Sequence, residues 1–492
     1  MFILFEILFF LSYNDIYLYI IIIKMIHKVI KACLEAIAEK SIGPTFTTRN
    51  LYLISSILYN ARTYFDSTFV TFDNYPKSIH LISKEHSLFI YIYHTEIALP
   101  LLNSSNFSNS QTLINFLTND NLFKNSKYIQ FKQLPIYKNL RATIVNNIHS
   151  YLSYRANDNS NIANTQLSDN ELPNNDKRIN PDGIIDFENY NDPLKWTPIN
   201  TNFYLTPYWG TVNGFLSESK LDSYTSFIER FLDNVDFQNE VYKVYQTSLQ
   251  LGDKEKCIAE FWAGAKNTIT PPGFWNVFLI AYFEKYGSSL NDNLEARYFF
   301  ILNSALLQTS IFVWRTKFNH MQARPIQTIR YYYPNDTITY YGGTGVSSSL
   351  WKPYQPSTFI TPPFPDFISG HSTFSAVGAR ILSKLIGSNL LDLNLSIDGI
   401  FMKNLSPLFS NQQNSEDRVY LHCINIFPKC SEIDENVPNK LITLTYNSWD
   451  DMALEAGLSR IYGGIHYDSS NYAGYLVGNK ISEDICNLFS LI

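Results

Sequence analysis

The chain has 492 residues, 45% of them apolar and 15% aromatic, which is long enough to bury a full core and too apolar for a disordered protein. Its net charge of −6, from 38 basic and 44 acidic side chains, comes without a basic stripe and argues against nucleic acid as the main partner. The five cysteines, Cys33, Cys257, Cys423, Cys430 and Cys486, are too few and too scattered for a disulfide framework or a zinc site, and read as buried thiols.

Residues 1–24 are strongly apolar over Phe2 to Phe10 and Ile16 to Ile23, interrupted by Glu6, Asn14 and Asp15. This is about the length that spans a bilayer, but no basic region precedes it and no small-residue cleavage site follows. It is a leader, an anchor or an upstream extension of a chain that starts at Met25. A membrane location or secretion depends on its being retained or cleaved; without it the chain reads as soluble. Residues 25–250 are expected as an N-terminal helical part with two insertions, 103–127 and 157–193, crowded with Asn, Ser and Asp. Such tracts bury too little apolar surface to offset their ordering entropy, so both are expected as surface loops. Residues 251–492 carry the chemistry.

Three helix starts are legible in that last part. Asp292-Asn293-Leu294-Glu295 has capping-box spacing and opens an apolar-periodic run through Leu302, Leu306 and Val313 to Lys317. Ser369 is a good N-cap for a helix that stops near Gly387. Ser448-Trp449-Asp450-Asp451 starts a third, which runs through Leu454 and Leu458 and fades at Gly463-Gly464. Strand-like alternation is short, as over Thr337 to Tyr341.

The polar residues placed on these helix ends converge on one chemistry. Trp314, Lys317 and Arg324 fall on one face of a continuing helix, and Pro325 should end that helix at Arg324. The Ser369 cap leaves the amides of Gly370 and His371 pointing outward, where the helix dipole favours an anion. Arg460 belongs near a helix end, and His466 lies just past two glycines. Lys317, Arg324 and Arg460 neutralise an oxyanion, the Gly370 amide and Ser369 hydroxyl bind its oxygens, and His371 and His466 can divide the roles of ligand and proton carrier. Taken singly, Arg-Pro marks a helix end and Ser-Gly-His a turn. The ordered set is what carries the signal.

Lys-x6-Arg-Pro, then Ser-Gly-His, then Ser-Arg-x5-His resembles the superfamily that unites vanadium-dependent haloperoxidases with acid phosphatases of the phosphatidic acid phosphatase type 2 kind. Phe364 and Trp314 stand where aromatic residues flank the halide site of chloroperoxidases, and the long stretch between His371 and Ser459 exceeds that of compact phosphatases. Leu205-Thr206-Pro207-Tyr208-Trp209-Gly210 and the run from Ile258-Ala259-Glu260-Phe261-Trp262 to Thr270-Pro271-Pro272-Gly273 look like segments of soluble bacterial haloperoxidases. The resemblance implies an all-α fold of helical bundles. It also implies a peroxidase that oxidises halide with hydrogen peroxide to hypohalous acid, with an organic acceptor as a further partner.

By the same resemblance, vanadate is the cofactor, held by Lys317, Arg324, Ser369, Gly370 and Arg460. His466 is the metal ligand, His371 the acid–base group, and Trp314 and Phe364 the halide pocket. Two departures stand out. Ile368 replaces the proline common before Ser-Gly-His, and Ser470 stands where an acid is expected four residues after His466, with Asp468 as the nearest substitute. Glu260 is expected to orient Arg460. The rival readings are an acid phosphatase that forms a phosphohistidine at His466, and an inactive anion-binding helical protein.

Overall fold

The computed structural model describes residues 25–78, 82, 86–200, 203–287, 292–409 and 418–490. The apolar stretch 1–24 lies outside the described residues. Among the described residues no helix is long and apolar enough to cross a membrane. The chain divides into two units. Its helices in order are α1 (Ile26–Glu39), α2 (Pro44–Asn60), α3 (Ser87–Ser105), α4 (Gln111–Asn119), α5 (Asn121–Lys124), α6 (Ser126–Phe131), α7 (Pro135–Arg155), α8 (Glu218–Leu232), α9 (Phe237–Leu249), α10 (Asp253–Phe261), α11 (Thr270–Tyr286), α12 (Asp292–His320), α13 (Pro325–Tyr332), α14 (Gly370–Ile386), α15 (Gly399–Met402), α16 (Trp449–Tyr462) and α17 (Asp468–Leu488). The all-α expectation holds.

The first unit comprises residues 25–40, 49–156 and 276–303 of the described chain. In α1, Ile26, Val29, Ile30, Cys33, Leu34 and Ile37 are buried, the spacing of an amphipathic helix with one apolar face. The segment 103–127, expected as a loop, instead carries α4, α5 and the start of α6. Its polar residues serve as caps: Asp120 accepts the Leu122 amide and Asn125 those of Lys127 and Tyr128. Leu113, Leu122 and Tyr128 supply the buried side. Composition alone misreads such a segment because Asn, Ser and Asp are common both in disorder and at helix starts. Glu295, read as part of the capping box at Asp292, is buried and accepts both the backbone N–H and the ring of His27 through Oε1, and the Asp292 side chain lies outside the described residues.

The second unit comprises residues 41–48, 157–275 and 304–490 of the described chain. Within it, 157–193 is irregular apart from a 3₁₀ turn at Asp169–Glu171, in keeping with the loop expected there. Three two-stranded antiparallel ribbons decorate the helices: β1 (Thr337–Tyr340) with β2 (Gly343–Ser347), β3 (Ser396–Asp398) with β4 (Arg418–Tyr420), and β5 (Cys423–Ile426) with β6 (Ile442–Thr445). The centre of this unit is the packing of α14 against α16 and α17. Gly474 and Gly478, one turn apart on α17, permit it. A Cβ at Gly474 would lie 2.8 Å from Thr373 Oγ1, and one at Gly478 2.8 Å from the Ala376 Cβ. The two helices therefore approach backbone to side chain, and the Ser369 amide reaches the Ser470 carbonyl at 3.1 Å.

Candidate functional site

The three helix ends identified from the sequence meet within the second unit. Ser369 caps α14 as expected, its Oγ accepting the Ser372 amide, and Gly387 closes that helix at φ 81°. The amides of Gly370 and His371 find no acceptor among the described residues, as the first N–H groups of a helix should not. Ser448 and Asp451 form the expected capping box on α16. That helix ends at Tyr462, and Gly464 at φ 66° turns the chain toward His466 in the short link to α17.

Arg324 does sit at a helix terminus, but at the start of a new one. Helix α12 ends at His320, Met321 takes φ 48°, and Arg324 becomes the N-cap of α13 with Pro325 at its first position. Proline disfavours helix at the preceding residue and suits the first helical turn, so it started a helix instead of ending one.

Each cation is held by backbone carbonyls. Lys317 Nζ donates to the carbonyls of Asp366 at 2.7 Å and Pro365 at 3.2 Å. Arg324 donates through Nε to Phe364 O, and through its terminal nitrogens to Ile465 O and Pro365 O. The loop from Pro362 to Ser369 is proline-rich and forms no helix, so its carbonyls are available for this. Arg460 donates to Ala259 O at 2.6 Å, and His371 Nε2 lies 2.9 Å from Trp262 O and 3.2 Å from Ala263 O. These acceptors lie at the C-terminal end of α10, where helix carbonyls lack intrahelical partners. Glu260, the expected partner of Arg460, points elsewhere: it accepts Tyr354, Ser431 and the Glu432 amide.

His466 Nε2 lies 3.2 Å from an Arg324 terminal nitrogen, and its Nδ1 lies 2.7 Å from Asp366 Oδ1 and 3.3 Å from Ser470 Oγ. Asp366 is the residue that sequence reasoning missed. It is fully buried and stands 3.7 Å from Arg324. The usable signal was one charged residue inside the apolar run Pro362-Pro363-Phe364-Pro365-Asp366-Phe367-Ile368. Asp468, the acid proposed as a substitute, is half exposed and pairs with Lys243 at 3.7 Å.

A cavity of about 320 Å³ opens on these groups and is lined by Trp314, Phe364, Gly370, His371, Arg460 and His466 among others. Lys317, Arg324 and Ser369 are buried beside it. The Trp314 and Phe364 rings lie 5.0 Å apart, and the Lys317 and Arg324 head groups lie 5.2 and 5.1 Å from the Phe364 ring centre. Trp314 Nε1 donates to Leu205 O. The remaining wall is mostly apolar, including Leu205, Phe359 and Phe374.

Burial governs the electrostatics. It pushes the Lys317 ammonium well below its usual range, with nearby Arg324 adding to the effect and Asp366 opposing it. It lowers Arg324 to about 10 and Arg460 to about 9. Both imidazoles are held well below the ordinary histidine range, by burial first and then by the neighbouring cations, so each is neutral near neutral pH. Lys317 and Arg324 share the carboxylate of Asp366, and Arg460 has no acidic partner among the described residues. Such a set repels a free metal cation and suits a multiply charged oxyanion. Gly370 adds room, since a Cβ there would meet nothing closer than Phe374 at 3.8 Å.

Residues 297–491 match the family described as VCPO second helical-bundle domain. A bacterial vanadium-dependent iodoperoxidase shares the fold at TM-score 0.61 and 17% identity, over 94% of this chain and 95% of that one. The apo-type structure of a bacterial vanadium-dependent chloroperoxidase aligns at TM-score 0.59 and 15% identity, over 91% and 93% of the two chains. The holo-type structure aligns at 0.59 and 17%, over 92% and 93%. No curated protein matches the chain by sequence. The resemblance read from the motifs stands, through a matched domain and a shared fold.

Proposed function

We propose that this chain is a vanadate-dependent haloperoxidase, which oxidises halide with hydrogen peroxide to hypohalous acid and water. One observation carries the reading: three buried cations, His466 and an unpaired helix N-terminus gather at an apolar cavity, with an Arg324 nitrogen 3.2 Å from His466 Nε2. Lys317, Arg324 and Arg460 would hold vanadate with the Gly370 amide and the Ser369 hydroxyl, and His466 Nε2 would ligate the metal. Bound there, vanadate supplies Lewis-acid activation of hydrogen peroxide toward halide attack.

The protein's own contribution is charge, proton position and exclusion of water. The cations draw electron density from the oxygens they hold, and their burial strengthens that pull. The Trp262 and Ala263 carbonyls accept hydrogen bonds from the His371 Nε2–H and so fix the proton there, which leaves Nδ1 as a base to receive a proton from incoming peroxide and return it to the departing oxygen. Trp314 and Phe364 form the apolar wall against which a weakly hydrated halide is placed.

The test is halide oxidation by protein reconstituted with vanadate, for iodide, bromide and chloride separately, beside a phosphomonoester assay. Halide oxidation that requires vanadate supports the proposal. Failure to oxidise any of the three with vanadium bound refutes it, and phosphoester turnover that vanadate inhibits would assign the pocket to hydrolysis through His466.

A further inference from the structure

We infer that Asp366 is the positioning residue for His466: it accepts the Nδ1 proton and so keeps Nε2 unprotonated and turned toward the bound oxyanion. The inference rests on the functional reading above for its consequence, and on geometry for its premise.

The tautomer follows from two contacts on opposite sides of the ring. A guanidinium has donors and no acceptor, so the Arg324 nitrogen 3.2 Å from Nε2 requires a lone pair there. The ring proton of neutral His466 is therefore on Nδ1. Asp366 Oδ1 lies 2.7 Å from Nδ1, an ion-pair distance, and that oxygen is buried with no hydrogen-bond partner among the described residues, which leaves it open to accept the ring N–H. Ser470 Oγ, 3.3 Å from Nδ1, also hydrogen-bonds Asp366 and helps to aim the carboxylate. A hydroxyl at the position four residues after His466 can aim an acid but cannot replace its charge. The acid instead arrives from the loop before α14, on the far side of the sequence.

The arrangement has a direct consequence. A carboxylate behind a ligating imidazole fixes the ring and raises the basicity of the opposite nitrogen, and loss of such a partner typically weakens metal binding roughly 10- to 100-fold. A negative charge in a cationic pocket has the reverse effect on simple anion attraction, which lets the two roles be told apart.

The experiment uses the full chain as the wild type, Asp366→Asn, Asp366→Ala, and Asp366→Ala combined with Ser470→Asp. Calorimetric titrations with vanadate and with inorganic phosphate are read beside the low-field imidazole N–H proton resonance of unloaded protein, assigned by its loss in His466→Gln. The wild type should show that resonance. Asp366→Asn and Asp366→Ala should lose or shift it, with vanadate affinity down roughly 10- to 100-fold and phosphate affinity unchanged or higher. The double variant should restore both the resonance and the vanadate affinity. Equal losses for both anions, or a resonance unchanged in Asp366→Asn and Asp366→Ala, would overturn the inference. If the wild type binds neither anion, the functional reading fails, and the resonance alone decides whether Asp366 holds the ring.

Discussion

Arg460→Met separates what the fold needs from what the site needs. Burial pushes this guanidinium from its ordinary 12.5 to about 9, equivalent to roughly 5 kcal/mol of disfavour for the charged form in the folded state. Against this stand its bonds to the Ala259 carbonyl and the Ser459 hydroxyl, each worth roughly 1.5–3 kcal/mol for a charged donor. The two contributions nearly cancel. Methionine fills similar space without charge, so the unloaded protein should melt within about 5 °C of wild type. Oxyanion binding should behave differently, because a lost charge-assisted bond of roughly 1.5–3 kcal/mol lowers affinity roughly 10- to 150-fold. Thermal melts with and without phosphate, and calorimetric titration with vanadate, read both quantities. A large drop in the melting point of unloaded protein with affinity preserved would refute the reasoning, since Arg460 would then be a structural cation.

Three further outcomes are expected. Gly370→Ala should fold normally, because the added methyl meets only ordinary contacts at 3.8 Å and beyond, yet it should weaken vanadate binding measurably in a titration, since it crowds an amide on the cavity wall. Gly378→Ala should lower stability by roughly 1–3 kcal/mol despite the better helix propensity of alanine, because its Cβ would lie 2.1 Å from the buried Trp275 ring; a denaturant melt equal to wild type would contradict the packing. Glu39→Gln should reduce hydrogen-exchange protection at the start of α4. Burial raises the Glu39 carboxyl, but the Ser110 hydroxyl and the amides of Thr112 and Gln111 outweigh it and hold the group at about 2, below its ordinary 4.5. That stabilisation is present above pH 4.5 and lost as pH falls toward 2, so the difference between variant and wild type should shrink over that window and not above it.

The sequence by itself determined the helix starts at Ser369 and Ser448 and singled out six polar side chains and Gly370 as candidates for one site. These are local facts: caps are set by side chains within three residues of the amides they bind, and motif spacing is a property of the chain. Helical periodicity marked the long helices, and the resemblance carried by the motifs implied the all-α class. Where local signals had more than one solution, neighbours elsewhere in the chain decided. Pro325 began α13 because Met321 had already broken α12. Glu295 holds His27, more than two hundred residues earlier, a bond that no local spacing announces. The Asn-rich segment 103–127 became helical because its apolar residues found a surface to cover. Asp366 is the clearest case of tertiary choice. Nothing within reach of His466 along the chain supplies a buried carboxylate, and only the folding of the proline-rich loop onto the link between α16 and α17 brings one to 2.7 Å. A contact to a histidine ring requires position and direction and no particular sequence separation, so the residues that follow His466 in the chain carry no trace of its acidic neighbour.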